Sequence, residues 1–257
     1  MTYETRLNRP TPGEEFVNGV LANNFELFKS DLDSEQVTGI LAEAVHSPPD
    51  EKTKIITVAG GAASGKSTLA QSLLDSLLQS GIKADRIETD DFVRGDRAWR
   101  REHVESKTDV NATAKYDFVL MNQKIEAITA NTNPATTVGI PTYNQATGLA
   151  IDEGEINYQH QVGPVNALIV TQDFDAVDTP SLAFYLHVPD VKRLENRVKR
   201  DVVARGGDPQ TTTDNFNLRQ NTQHVPHTLP LLTKADYVID MVSSAGDNWL
   251  FDLYRSK

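Results

Sequence analysis

The sequence predicts an α/β fold in which a doubly wound, mainly parallel sheet carries helices on both faces, with an N-terminal helical extension before it. Three observations predict it. A short β-branched run, Ile55-Ile56-Thr57-Val58, passes through a glycine-rich turn into a segment with Leu69, Leu73, Leu77 and Leu78 at helical spacing, giving strand, loop, helix. Further apolar runs at Ala167 to Val170, Leu182 to Val188 and Tyr237 to Ile239 are nearly continuous, as strands buried on both faces require. Helical segments lie between the runs, and that alternation builds a parallel sheet.

Composition bounds the rest. The chain has 257 residues, 39% hydrophobic and 24% charged, which is ordinary globular usage and enough apolar surface for one core domain. Its net charge of -11 disfavours a nucleic acid polymer as partner, since phosphate backbones are held by lysine and arginine. There are no cysteines, so disulfides, thiolate metal sites and thiol nucleophiles are excluded. From Met1 through Arg6 and Arg9 to Glu15 there is no apolar signal core, and no stretch of about 18 apolar residues occurs. The expectation is a cytoplasmic protein with no membrane partner, and the sequence leaves room for a homo-oligomer.

Taken in order, residues 1–50 form the helical extension. Helix is expected from about Gly13 to Val45, with Val37, Ile40, Leu41, Ala44 and Val45 on one stripe behind a cap at Ser34, and with Ser47-Pro48-Pro49 as the stop. Residues 51–257 form the core domain. Its strands begin at Lys54 and continue at Arg86 to Thr89, Thr136 to Ile140 and the three runs above. Tyr143 to Gln161, with Gly148 and alternating Leu149, Ile151 and Ile156, reads as a hairpin or flap inserted near 143–161. A helix capped near Asp190 lies near 190–207.

Gly60-Gly61-Ala62-Ala63-Ser64-Gly65-Lys66-Ser67 fits the phosphate-loop pattern and stands between a strand and a helix, where the mechanism needs it. Glycines let backbone amides turn inward around anionic oxygens, and the helix N-terminus adds partial positive charge. Lys66 is then expected at the β- and γ-phosphates of ATP and Ser67 on a magnesium ion. With Thr68, these nine residues are the candidate nucleotide site. The loop speaks for nucleotide binding and not for the reaction.

Two further features suggest a phosphotransferase. The next strand ends in Glu88-Thr89-Asp90-Asp91-Phe92-Val93-Arg94, placing carboxylates at the carboxyl edge of the sheet, where one can deprotonate an acceptor hydroxyl or help hold magnesium. Lys192, Arg193, Arg197, Lys199, Arg200 and Arg205 concentrate positive charge in an acidic chain. Arg193, Arg197 and Arg200 share a helical face. That face is either a solvated surface or a lid closing on a triphosphate.

These motifs resemble the uridine kinase, phosphoribulokinase and pantothenate kinase family of P-loop kinases, over Ile55 to Ile239. The resemblance implies a P-loop NTPase fold and magnesium-dependent transfer of the γ-phosphoryl group of ATP to a small-molecule hydroxyl acceptor, such as a nucleoside or sugar. Asp90-Asp91-Phe92-Val93-Arg94 is similar to the family's catalytic strand end, which makes Asp90 the base and a metal ligand. Lys115-Tyr116-Asp117 is similar to a segment whose aspartate holds acceptor hydroxyls, and Pro141-Thr142-Tyr143-Asn144 to the flap that approaches the acceptor. Asn196 to Asp208 is similar to the lid, which implies acceptor contact by Arg197 and phosphate contact by Arg200 and Arg205.

The chain also departs from the pattern. Gly148 stands where uridine kinases carry a histidine that reads the pyrimidine, and Ala150 where they carry an arginine. Ile169-Val170-Thr171-Gln172 lacks the family's strand-end glutamate, which leaves Asp173 as the acidic metal group. The expectation is therefore an acceptor rich in hydroxyls and not selected by its base. His224 and His227, separated by Pro226, are not expected to form a metal site. Trp99, Trp249, Phe251 and Tyr254 are read as packing.

Overall fold

A computed structural model describes residues 11–46, 52–104, 112–144, 147–152, 155–156, 158, 160–177, 179–203, 206–245 and 248–257. The helix stop at Ser47-Pro48-Pro49 and Arg205 lie outside them. The chain runs α1 (Pro12–Asn24), β1 (Phe25–Leu32), α2 (Ser34–Val45), β2 (Lys54–Gly60), α3 (Lys66–Gln79) and β3 (Ala84–Glu88). It continues through α4 (Arg97–His103), α5 (Phe118–Ala130), β4 (Val138–Ile140), β5 (Ile151–Asp152), β6 (Glu155–Ile156), β7 (His160–Val162) and β8 (Ala167–Gln172). Then come β9 (Leu182–His187), α6 (Asp190–Val198), α7 (Pro209–Arg219), β10 (Tyr237–Ala245) and β11 (Asn248–Ser256).

The main sheet has seven strands in the order β1-β11-β10-β9-β2-β8-β3. β3, β8, β2, β9 and β10 are mutually parallel, β11 pairs antiparallel with β10, and β1 pairs antiparallel with β11. The chain leaves β2 for β3, two places away on one side, returns to β8 between them, and then crosses to β9 on the other side. This reversal opens a crevice above the carboxyl end of β2, where ligands of such sheets bind.

All six residues of β8 are buried, which explains its continuous apolar run. Alternate residues feed opposite faces. Ile56, Val58, Ile169, Phe184, Leu186 and Ile239 meet Leu41 of α2 and Leu73 and Leu77 of α3. On the other face, Ile87, Leu168 and Val170 pack on Met121, Ile125 and Ile128 of α5, while Tyr185 and Val238 pack on Val17 and Leu21 of α1.

The helix expected over Gly13 to Val45 is interrupted by β1. Phe25–Leu32 is exposed at all but its end residues, so it shows no strand alternation, and it becomes a strand by completing the edge of β11. The cap of α2 is Asp33, one residue before the expected Ser34. Its carboxylate accepts from the Gln36 N–H at 2.8 Å while the Gln36 side chain accepts from the Asp33 N–H. β4, expected among the core strands, pairs antiparallel with β7 outside the main sheet. No described helix is long and apolar enough to cross a membrane.

Candidate functional site

Because β2, β3, β8 and β9 run parallel, their carboxyl ends deliver Gly60, Glu88, Gln172 and His187 to one edge of the sheet. A cavity of about 510 Å³ lies there. Its walls include Lys66 and Ser67 from the glycine-rich loop, Asp90 after β3, Asp173 after β8, Arg197 from the last turn of α6 and Arg200 just beyond it. Ala62, Ala63, Gly65 and Thr68 also face this space. Gly60, Gly61 and Ser64 lie behind it, with Ser64 fully buried.

The loop is held from behind. A Cβ on Gly61 would stand 2.3 Å from the Arg193 guanidinium, so only glycine fits against that side chain. Arg193 is 2% exposed, pairs with Asp190 at 2.6 Å, donates to Gln220 at 2.6 Å and reaches the Ala62 carbonyl at 3.4 Å. Asn196 donates to the Ala63 carbonyl at 3.1 Å. Arg193, read from sequence as part of the lid face, is thus a strut beneath the loop. Asp190 opens α6 as its first residue and serves this strut, while Pro189 occupies the cap position.

Lys66 reaches across the cavity floor to Asp173 at 2.6 Å and to the Gly61 carbonyl at 3.2 Å. Burial alone would raise the Asp173 carboxyl. The opposing pull of Lys66, Lys115 and Arg219 outweighs it and holds that carboxyl below its usual range. The first turn of α3 has no side-chain cap, leaving amide donors at a helix N-terminus beside a lysine. A loop with no room for a side chain at Gly60 and Gly61 and a left-handed backbone at Gly65, an uncapped helix start and Lys66 together fit the polyphosphate of ATP.

Asp90 and Asp91 diverge. Asp90 is exposed to the cavity and accepts from the Tyr116 hydroxyl at 3.2 Å. Burial and the nearby Asp90 push the Tyr116 phenol well above its ordinary value, so it stays protonated and donates. Asp91 turns inward and accepts from the Tyr143 N–H and the Glu88 N–H, both at 3.1 Å. Its burial pushes the carboxyl up to about 6 despite those two bonds. Gln172 also turns inward, toward the Ala176 N–H at 3.4 Å.

Among the described residues no group of three His, Cys, Asp or Glu side chains could hold a metal ion alone. Ser67, Asp90 and Asp173 do share the cavity wall. Such a sparse donor set suits magnesium, which is commonly held by one or two carboxylates together with substrate phosphates and water.

A second cavity, about 310 Å³, shares Asp90 with the first but is lined by no residue of the loop. Tyr143 and Arg197 border it. Arg197 is 9% exposed and lies 3.2 Å from Asp201; its burial, with Arg219 and Arg200 nearby, lowers its guanidinium to about 10. Arg200 is more open and pairs with Asp201 at 2.8 Å.

Asp117, expected at the acceptor, is set apart from this group. One of its oxygens caps α5 through the Leu120 N–H at 2.9 Å and the other pairs with Arg94 at 3.2 Å. Sequence reasoning missed Arg219, which borders both cavities from the end of α7, and Trp249, which borders the first from β11. Arg219 stands in no motif. Trp249 belongs to a strand whose start carries no alternating signal.

Comparison with known proteins agrees with this architecture. Residues 55–246 match the family described as phosphoribulokinase / uridine kinase. A uridine kinase of Macrococcus caseolyticus is 21% identical over 188 residues, covering 73% of this chain and 88% of that protein. Uridine-cytidine kinase A of Dictyostelium discoideum is 22% identical over 185 residues, 72% of this chain, and the match spans only 35% of that longer protein. The structure of D-glycerate 3-kinase from Cryptococcus neoformans superposes with a TM-score of 0.58 at 12% identity, over 87% of this chain and 99% of that one. The P-loop α/β architecture and this match over most of the chain place the protein in the phosphoribulokinase / uridine kinase family.

Proposed function

We propose that the protein is an ATP-dependent small-molecule kinase that transfers the γ-phosphoryl group to a hydroxyl of a nucleoside, a sugar or a related metabolite. The observation that carries this reading is the single cavity in which Lys66 and Ser67 face Asp90, with Arg197 and Arg200 over them. An NTPase without an acceptor has no use for the second chamber beyond Asp90.

On this reading the loop amides and Lys66 hold the β- and γ-phosphates, with Ser67 and the Asp90 or Asp173 carboxylate available to a magnesium ion. That ion, when bound, neutralises charge on the phosphate oxygens. Asp90 orients the acceptor hydroxyl and takes its proton. The hydroxyl oxygen forms a bond to the γ-phosphorus while the bond from that phosphorus to the β,γ-bridging oxygen breaks, and ADP leaves with the electron pair. Arg200 and Arg197 offset charge on the transferring group. Tyr116 keeps the Asp90 carboxylate in place, and Tyr143, fixed by Asp91, borders the acceptor.

ADP formation is measured with magnesium and ATP against pooled nucleosides, sugars and sugar acids. The reading requires acceptor-dependent ADP release that Lys66→Ala removes. Hydrolysis indifferent to every pool, or no ADP at all, refutes it.

A further inference from the structure

The phosphate loop is held in a form that its own residues do not favour. The Ser64 N–H donates to the Gly61 carbonyl at 3.1 Å, closing a turn with Ala62 and Ala63 at its centre. Ala63 adopts φ +63, while Ala62 stays outside the left-handed region. That combination is a type II turn, which ordinarily takes glycine where this chain has Ala63. A residue with a Cβ is strained there.

A relaxed form lies one peptide rotation away. Turning over the peptide between Ala62 and Ala63 gives a type I turn, with negative φ at both central residues. The two forms differ in what they offer a phosphate. A trans peptide carries its C=O and N–H on opposite sides. The Ala62 carbonyl is drawn back to Arg193 at 3.4 Å, behind the loop, so the Ala63 N–H is turned toward the cavity that Ala62 and Ala63 border. In the relaxed form that N–H faces away.

What resists the rotation comes from α6. The Asn196 side-chain amide donates to the Ala63 carbonyl at 3.1 Å, and Asn196 stands half-buried in the cavity wall. Asp190, Arg193 and Asn196 are spaced by three and share one helical face. The start of that face is anchored. Asp190 accepts from Arg193 at 2.6 Å, from Gln220 just after α7 at 2.9 Å and from the Thr11 hydroxyl at the cap of α1 at 3.1 Å, and the Arg193 guanidinium lies 5.3 Å from the centre of the Phe216 ring of α7. Tied to both α1 and α7, the helix is a rigid mount for the two side chains that reach the loop. Arg193 divides its donors among Asp190, Gln220 and Ala62. Asn196 makes the shorter bond to the strained segment.

We infer that Asn196 is a positioning residue for phosphate binding: its bond to the Ala63 carbonyl keeps the loop in the type II form, with the Ala63 N–H presented to the anion before a nucleotide arrives. This deepens the kinase reading and rests on it for the identity of the anion. The helix that carries Arg197 and Arg200 thereby also sets the backbone on the other side of the phosphates, which is preorganisation of the site by one element.

Two measurements test it, the first without ligand. In the nucleotide-free protein the three-bond HN–Hα coupling and the Cα and Cβ chemical shifts of Ala63 report the sign of φ. They should read positive φ in the native protein and move toward negative φ in Asn196→Ala and in Asn196→Leu, which keeps the volume and has no donor. Calorimetry with ADP and magnesium then gives Kd, which should rise about 5- to 10-fold in both variants, the scale of one net hydrogen bond. Ala63→Gly supplies a comparison that general loosening of α6 would not mimic. Glycine takes positive φ without strain, so on that background Asn196→Ala should raise Kd by no more than about 2-fold. A φ at Ala63 that the variants leave unchanged overturns the inference, as does a Kd that stays within about 2-fold of native when φ has changed. An Asn196→Ala effect of equal size on the Ala63→Gly background also overturns it, since the residue then acts through something other than the turn. If the native protein binds no ADP, the kinase reading falls, and the φ comparison alone decides whether Asn196 holds the loop.

Discussion

Asp91 offers the sharpest quantitative test of the geometry around the strand end. Its carboxyl is pushed from 3.8 to about 6 by burial, against the two amide bonds from Tyr143 and Glu88. At ~1.4 kcal/mol per pH unit, that separation amounts to ~3 kcal/mol, trimmed to ~2–3 kcal/mol by the partial solvent exposure of the residue. The sign follows from proton counting. Between pH 3.8 and about 6 the folded chain holds a proton at Asp91 that the unfolded chain has released, so unfolding loses a proton and stability from this group falls as pH rises. Below that window the contribution is fully present, and above it is gone. Other carboxylates act oppositely: Asp173 and Asp208 are lowered in the folded state, the latter by the Thr211 backbone N–H. The measurement is therefore a difference. Urea unfolding of the native protein and of Asp91→Asn is followed from pH 4 to pH 7, and the native protein should lose ~2–3 kcal/mol relative to the variant across the range. A flat difference curve would mean that Asp91 is hydrated and does not tie the flap to the strand end.

Lys66→Ala should lower kcat by about two to three orders of magnitude, the scale of a lost electrostatic contact to a transferring group, as read by steady-state ADP formation. Asp90→Asn should leave ATP affinity within a few-fold by calorimetry while transfer collapses, and Asp91→Asn should impair transfer less; the reverse order would move the base by one residue. Gly61→Ala should cost ~2–4 kcal/mol in denaturant unfolding by dislodging the buried Arg193 from Asp190 and Gln220. In an Arg193→Ala background the same change should cost far less. Hydrogen exchange over residues 192–203 should slow when ATP is added, because charges of one sign at Arg197 and Arg200 gain a counter-charge; rates indifferent to ATP refute a closing lid.

The parts of the fold legible in the sequence were those where one local pattern carries the physics. The β2 to α3 turn was visible because glycine, lysine and serine spacing reports a backbone geometry, and β8 because burial on both faces leaves only apolar residues. β1 and β11 were not legible. Their pairing is long-range, from Phe25–Ser256 to Leu32–Phe251, and β1 exposes the adjacent Leu27 and Phe28 along with the polar residues on either side of them, so neither period 2 nor period 3.6 emerges. At the site, Asp90, Lys66 and Arg197 stood in motifs, whereas Arg219 reaches the cavity only through the path of α7 after α6. Arg193 carried the right charge in the right helix, but sequence could not distinguish a residue facing ATP from one wedged under the loop.

The seam between β10 and β11 has a practical meaning for where this molecule can be divided. The family match ends at residue 246, just short of β11, yet Phe251 and Leu253 of β11 and Val37 and Leu41 of α2 belong to the same apolar cluster as Ile56, Leu73 and Leu186. A fragment trimmed to residues 55–246 would open the whole flank of β10 as an unpaired row of amides and carbonyls and would remove α2 from beside α3 on one face of the sheet and α1 from the other. Such a fragment is expected to self-associate through that flank. The smallest piece that closes its own surface therefore includes the segment from α1 to α2 and the final strand, and ancestry and cooperative folding draw different borders on this chain.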